Sequence, residues 1–227
     1  MQITTININL APATLEALSS MGYALYVMRS FDTTNAAGKP LVWFASTQFL
    51  ESNSIAFEAQ YQAYVPTSQV IPNGVVIASD TVPVELGQTV TIDVNGVLTV
   101  TQGGNPAGVT LVNSTTRPFT TGLMATANSA GFGPIFAEPL YGLAEDIAAP
   151  ADQFLLTFST DGVPPGSVIQ HAMAQSLLVD LTGATERTVA FDINTGWSAG
   201  GATWATTVPA GADLTPVLVH EKPLVRR

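Results

Sequence analysis

The chain contains no cysteine. Disulfides, thiolate nucleophiles, iron–sulfur clusters and cysteine-based zinc sites are excluded at once. There are two histidines, His171 and His220, far apart in sequence, so a multi-histidine metal site within one chain is not expected. Charge is also scarce. Charged residues make up 11% of the 227 positions, against about 25% in an ordinary soluble domain. Only 7 residues are basic and 17 are acidic, for a net charge of −10. Nucleic acid binding needs basic residues clustered on one face, and this chain is too poor in them. Uncharged stretches are broken by Gly, Pro, Asn and Thr, so no membrane-spanning helix is expected. The first residues, MQITTININLAPATLEAL, lack a basic n-region and a continuous apolar run. The expectation is cytoplasmic synthesis without a signal peptide, any release following a non-classical route. The sequon at Asn113-Ser114-Thr115 is then best read as coincidence.

What is present in quantity is β-strand pattern. In FEAQYQAYV (57–65), Phe57, Ala59, Tyr61, Ala63 and Val65 share one face, the period of a half-buried strand. YALYVMRSF, VVIAS, VTIDV, VLTVT, VTLV, FLLTFS, LLVDL and VAFDI read alike, separated by Gly, Pro and Asn turns. Only ATLEALSSMG (13–22) looks helical, with Pro12 near its start and Gly22 as its stop.

The pattern recurs. VTIDVNG (90–96) and VAFDIN (189–194) each alternate around an aspartate and end in asparagine. The likeness extends: Gly74 aligns with Gly166, Val84-Glu85-Leu86 with Val179-Asp180-Leu181, Asp93 with Asp192, and Gly103-Gly104 with Gly200-Gly201. Offsets of 92 to 99 residues that change only in small steps are those of an internal duplication with loop insertions. The expected fold is all-β: two tandem β-sandwich-like units of about 100 residues. Residues 1–116, with the short N-terminal helix, form one and 117–227 the other. Either each closes its own sandwich or both merge into one larger β structure.

Several patterns suggest chemistry. Gly196-Trp197-Ser198-Ala199-Gly200 fits G-x-S-x-G, with Asp213 and His220 following in the order of α/β-hydrolases. The Gly-, Thr- and Pro-rich continuation GATWATTVPAG offers no helix behind the serine, so no catalytic residue is assigned. The acidic stretch holding Glu138, Glu145, Asp146 and Asp152 could supply paired carboxylates for glycoside hydrolysis or oxygen ligands for calcium. It fits no calcium loop, and a solvated acidic loop is the simpler reading. Asp93 and Asp192 are expected to support turns. VLTVT and VTLVN, flanking QGGNPAG, read as an uncharged Thr/Val hairpin of the kind pore formers insert.

The loop GWSAGGATW (196–204) is the most suggestive, because Trp197 and Trp204 flank its glycines. Exposed indoles stack on sugar faces or sit at lipid interfaces. Trp197, Trp204, Asp192 and Asn194 are therefore the candidate ligand-binding residues, with no cofactor and no metal. The expectation is a non-enzymatic protein that binds a glycan or lipid surface, assembles as a homo-oligomer, or both. A membrane-active pore-forming toxin and a carboxylate-dependent glycoside hydrolase are the alternatives.

Overall fold

A computed structural model describes residues 3–66, 71, 74–128 and 131–222. In chain order it runs β1 (Ile3–Leu10), α1 (Pro12–Ser20), β2 (Ala24–Thr33), β3 (Lys39–Pro40), β4 (Phe44–Ser46), β5 (Ser52–Glu58), β6 (Tyr61–Pro66), β7 (Ala78–Val84) and β8 (Gln88–Ile92). It continues with β9 (Leu98–Gln102), β10 (Val109–Asn113), β11 (Phe119–Thr126), β12 (Phe132–Leu140), β13 (Glu145–Ser159) and β14 (Ser176–Asp180). The last elements are β15 (Glu186–Asp192), β16 (Gly196–Ser198), β17 (Ala205–Val208), α2 (Thr215–Leu218) and β18 (Val219–Glu221). The protein is all-β, and its strands form three sheets. The first has the order β16-β15-β1-β5, and the third has β3-β12-β11-β6-β7. The second has the order β17-β14-β13-β10-β8-β9, with β2 on β13 and with β4 and β18 on β2.

The boundary expected at 116/117 falls between β10 and β11, and every sheet draws strands from both sides of it. β1 runs parallel to β15, β2 antiparallel to β13, and β6 antiparallel to β11. The likeness of VTIDVNG to VAFDIN has a local cause. In β8–β9, Asp93 Oδ1 accepts from the N–H groups of Asn95 (2.8 Å) and Val97 (2.9 Å). In β15–β16, Asp192 Oδ1 accepts from those of Asn194 (2.9 Å) and Thr195 (3.0 Å). Both turns need a left-handed residue, supplied by Gly96 and Gly196. Beyond the two hairpins the connections differ. The parallel neighbour of β8 is β10, which follows it, whereas that of β15 is β1, which precedes it by most of the chain. The segments aligned at Gly74 and Gly166 meet directly, Val75 bridging Ser167; Pro72 and Asn73 at the start of that alignment lie outside the described residues.

Two other expectations are corrected. FEAQYQAYV is not one strand. It breaks at Ala59–Gln60, so that β5 belongs to the first sheet and β6 to the third. Phe57 and Tyr61 remain in the same core across this corner, as strands that switch sheets do. VLTVT and VTLVN do not form a hairpin together. β9 pairs antiparallel with β8 through the short Asp93 turn, and β10 lies on the other side of β8. QGGNPAG is the crossover, held down by Gly104 N–H to the Gly87 carbonyl and Gly87 N–H to that of Gly108 (both 2.8 Å).

The core is layered by β2, buried along almost its whole length. Leu25, Val27 and Phe31 face the main core, while Ala24, Tyr26 and Met28 face a second one, the alternation a strand imposes. Aromatic contacts tie the sheets together: Phe31 stacks on Phe136 at 4.1 Å, and the Trp43 indole donates to the Ala125 carbonyl at 3.0 Å. Among the described residues no helix is long and apolar enough to cross a membrane.

Candidate functional site

The tryptophan loop is not the aromatic platform its sequence suggests. Trp197 is only 8% exposed. It stacks on Phe158 at 5.3 Å and packs against Phe191 at 4.9 Å. Its flanking glycines serve the turn geometry and leave the ring in the core. Trp204 is half-buried, and the Arg187 guanidinium lies 4.9 Å from its ring centroid. Asp192 is spent on its turn and on the Thr14 hydroxyl of α1, which donates to it at 3.1 Å. The turn N–H groups hold the Asp192 carboxyl below its usual pKa. Asn194 is exposed at the turn. Of the four expected residues, Asn194 is exposed, Asp192 and Trp204 are partly so, and Trp197 is buried.

The serine motif does not assemble either. Ser198 lies on an edge strand, its hydroxyl 3.4 Å from the Gly200 N–H. Asp213 accepts from the Thr215 N–H at the start of α2 (2.8 Å). His220 contacts Asp32 (3.2 Å) and the Val217 carbonyl (3.2 Å). The sequon asparagine, Asn113, is 1% exposed. Its amide donates to the carbonyls of Arg117, Leu140 and Tyr141, stapling two loops together.

The acidic stretch splits into unlike members. Glu138 is fully buried; the Thr33 hydroxyl donates to one of its oxygens at 2.8 Å and the other has no partner among the described residues. Burial pushes its pKa up to about 8. Asp146 accepts from the Asn35 amide (3.0 Å), and its pKa too is raised, by partial burial. Asp152 is exposed, and Glu145 lies on the surface. Among the described residues no group of three or more His, Asp and Glu is placed to hold a metal ion.

Polar groups gather instead in several concavities, two of which have an arginine in their walls. The larger, about 960 Å³, lies between β3, β7, β11, β12 and the β8–β9 turn; its walls include Lys39, Asp80, Asn95, Arg117, Phe119 and Pro139. Hydrogen bonds to the Arg117 carbonyl from Asn113 (2.7 Å) and Thr115 (3.2 Å) fix its backbone, while its guanidinium lies 6.0 Å from the Phe119 ring centroid. Among the described residues neither Lys39 nor Arg117 is in an ion pair. The smaller, about 380 Å³, has Arg29, Phe57, Glu58, Tyr61 and Asp152 in its lining.

Arg29 is 3% exposed. Its guanidinium lies 5.2–5.7 Å from the ring centroids of Phe57, Tyr61 and Phe154. Nε donates to the Ala151 carbonyl at 2.9 Å. Nη2 makes long contacts to Asp152 (3.4 Å) and the Tyr61 hydroxyl (3.5 Å), and Nη1 has no partner among the described residues.

The chain matches no protein-family model, no curated protein and no solved structure. Neither concavity was singled out from the sequence, because their residues come from segments far apart in the chain. One signal was readable: in YALYVMRSF, Arg29 has the parity of Leu25, Val27 and Phe31, which places a guanidinium on the buried face of a strand.

Proposed function

We propose that this is a non-enzymatic glycan-binding protein whose ligand lies in the groove between Lys39 and Arg117. The observation that carries this reading is where the scarce cations fall. In a chain of net charge −10 with 7 basic residues, two of them line a groove of about 960 Å³ without ion-pair partners among the described residues. Phe119 and the prolines of that groove give apolar faces for sugar C–H groups, while Asp80 and Asn95 present acceptors and a donor for hydroxyls. Mixed apolar and polar lining in an open groove suits an extended, polyhydroxylated ligand. Binding to a glycan array is expected for the wild type. Arg117→Ala and Phe119→Ala should each weaken it by about tenfold, or roughly 1.4 kcal/mol, with Tm nearly unchanged for Arg117→Ala. Array binding equal in both variants and wild type, or no glycan retained by the wild type, defeats the reading. Liposome flotation in parallel separates a lipid surface from a glycan.

A second reading, self-assembly, is favoured by two turns, those joining β8 to β9 and β12 to β13. They expose Val94 (63%), Tyr141 and Leu143 (72%). Leu143 holds a left-handed backbone, φ 59°, uncommon for leucine. Its N–H donates to the Thr115 carbonyl at 2.7 Å, so the apolar tip is firmly supported. If these turns join copies, Leu143→Asp should convert an oligomer to monomer in light scattering. A wild type that stays monomeric at high micromolar concentration excludes it.

A further inference from the structure

We propose that the Arg29 cleft binds a single carboxylate group, from a small free acid or an acidic sugar unit, which takes the place of the Asp152 side chain. A buried guanidinium is normally paired with good geometry and satisfied at every N–H, because an unpaired buried charge is costly. Arg29 departs from this. Charge-assisted N–H···O bonds run at about 2.7–2.9 Å, but Asp152 stands off at 3.4 Å and Nη1 has no partner among the described residues. Three aromatic rings surround the guanidinium and add cation–π attraction, yet they accept no conventional hydrogen bond. Nη2, held only by its two long contacts to Asp152 and Tyr61, is the donor that a carboxylate of better geometry can take over where Arg29 lines the cleft.

The local backbone is built to let Asp152 move. In the β2–β13 ladder Pro150 pairs with Phe31 and Phe154 with Arg29, so Ala151, Asp152 and Gln153 bulge opposite Ser30. Bulges re-aim side chains in this way. Arg29 Nε holds the Ala151 carbonyl and the Ser30 hydroxyl holds that of Gln153 (3.1 Å). The Leu181 N–H donates to the Asp152 carbonyl at 2.8 Å. The Asp152 backbone is therefore anchored while its side chain is 58% exposed, free to swing off the cleft. Glu58 at the rim leaves the site unfavourable to a dianion such as phosphate. It favours a monoanion whose neighbouring atoms carry hydroxyl or ammonium donors.

The test compares Tm for wild type, Asp152→Ala and Arg29→Lys in sodium chloride, acetate, D-glucuronate and phosphate at equal ionic strength. Asp152→Ala should melt several degrees below wild type in chloride. Acetate and glucuronate should restore it, acting at about tenfold lower concentration than on wild type, because the competing carboxylate is gone. Arg29→Lys should show no carboxylate-specific gain. If glucuronate acts at much lower concentration than acetate, the source is an acidic sugar; if the two are equal, a free small acid suffices. Because Arg29→Lys removes a pin of the bulge, the Arg29 guanidinium NMR resonance of wild type supplies a second readout and should move on acetate titration. The proposal is overturned if Asp152→Ala gains no more from acetate than wild type does, if phosphate acts as well as carboxylate, or if the Arg29 resonance does not move.

Discussion

Glu138→Gln is expected to abolish most of the alkaline loss of stability of this protein. Glu138 is fully buried against Thr33, and burial holds its pKa at about 8 in place of the ordinary 4.5. In the folded state the group keeps a proton that the unfolded chain releases in mild acid. Below pH 4.5 both states are protonated and the group costs nothing through ionisation. As pH rises from there to about 8, the unfolded chain gains by ionising and the fold loses stability; above 8 the loss levels off. Each tenfold displacement of an acid constant is worth about 1.4 kcal/mol, so the limiting loss is about 5 kcal/mol. Asp146, raised in the same direction by partial burial, adds to the slope. The turn carboxylates Asp93, Asp192 and Asp213 are lowered by backbone N–H donors and act oppositely, their contribution being lost as pH falls. Wild-type Tm should therefore be highest in mild acid and decline toward pH 9. Glu138→Gln, which keeps an acceptor for Thr33 and cannot ionise, should match wild type near pH 4.5 and exceed it clearly at pH 9. Parallel Tm curves for the two proteins from pH 4.5 to 9 would refute this account of Glu138.

What could be read in the chain was what is local. Alternation located most strands, and the aspartate–asparagine–glycine chemistry at 93–96 and 192–196 identified two turns, because such turns are made by neighbours in sequence. Partner choice was not local. VLTVT could pair with VTLVN or with VTIDV, and only the position of β10 on the far side of β8 decides between them. The break at Ala59–Gln60 was hidden because the parity of Phe57 and Tyr61 survives the corner. The concavities escaped for the same reason, Lys39 and Arg117 being brought together by β12, which pairs with both β3 and β11. Glycines around Trp197 suggested exposure, but in β16 they frame a ring that the hairpin folds inward onto Phe158 and Phe191.

Trp197→Ala is accordingly expected to act on stability and not on recognition. Removing a large buried aromatic side chain costs about 3–5 kcal/mol, from lost burial plus the cavity left behind. For a chain of this size that is a fall in Tm of about 10 °C or more. Trp197 stacks on Phe158, which touches Phe49 and Phe191 in turn, so the cavity opens beside β13 and β15 and draws on the joint between the first two sheets. Trp197→Phe should recover most of the loss. The indole N–H of Trp197 has no hydrogen-bond partner among the described residues, so a phenyl ring forfeits some packing volume without stranding an acceptor. Trp204→Ala should cost less, since its ring is half-buried and the Arg187 guanidinium lies over it. Acrylamide quenching adds a second measure: Trp43 and Trp197 are shielded, and Trp204 should account for most of the accessible fluorescence. Equal, small drops in Tm for the two alanine variants, with quenching lost in Trp197→Ala, would place Trp197 at the surface and restore the loop as the ligand platform.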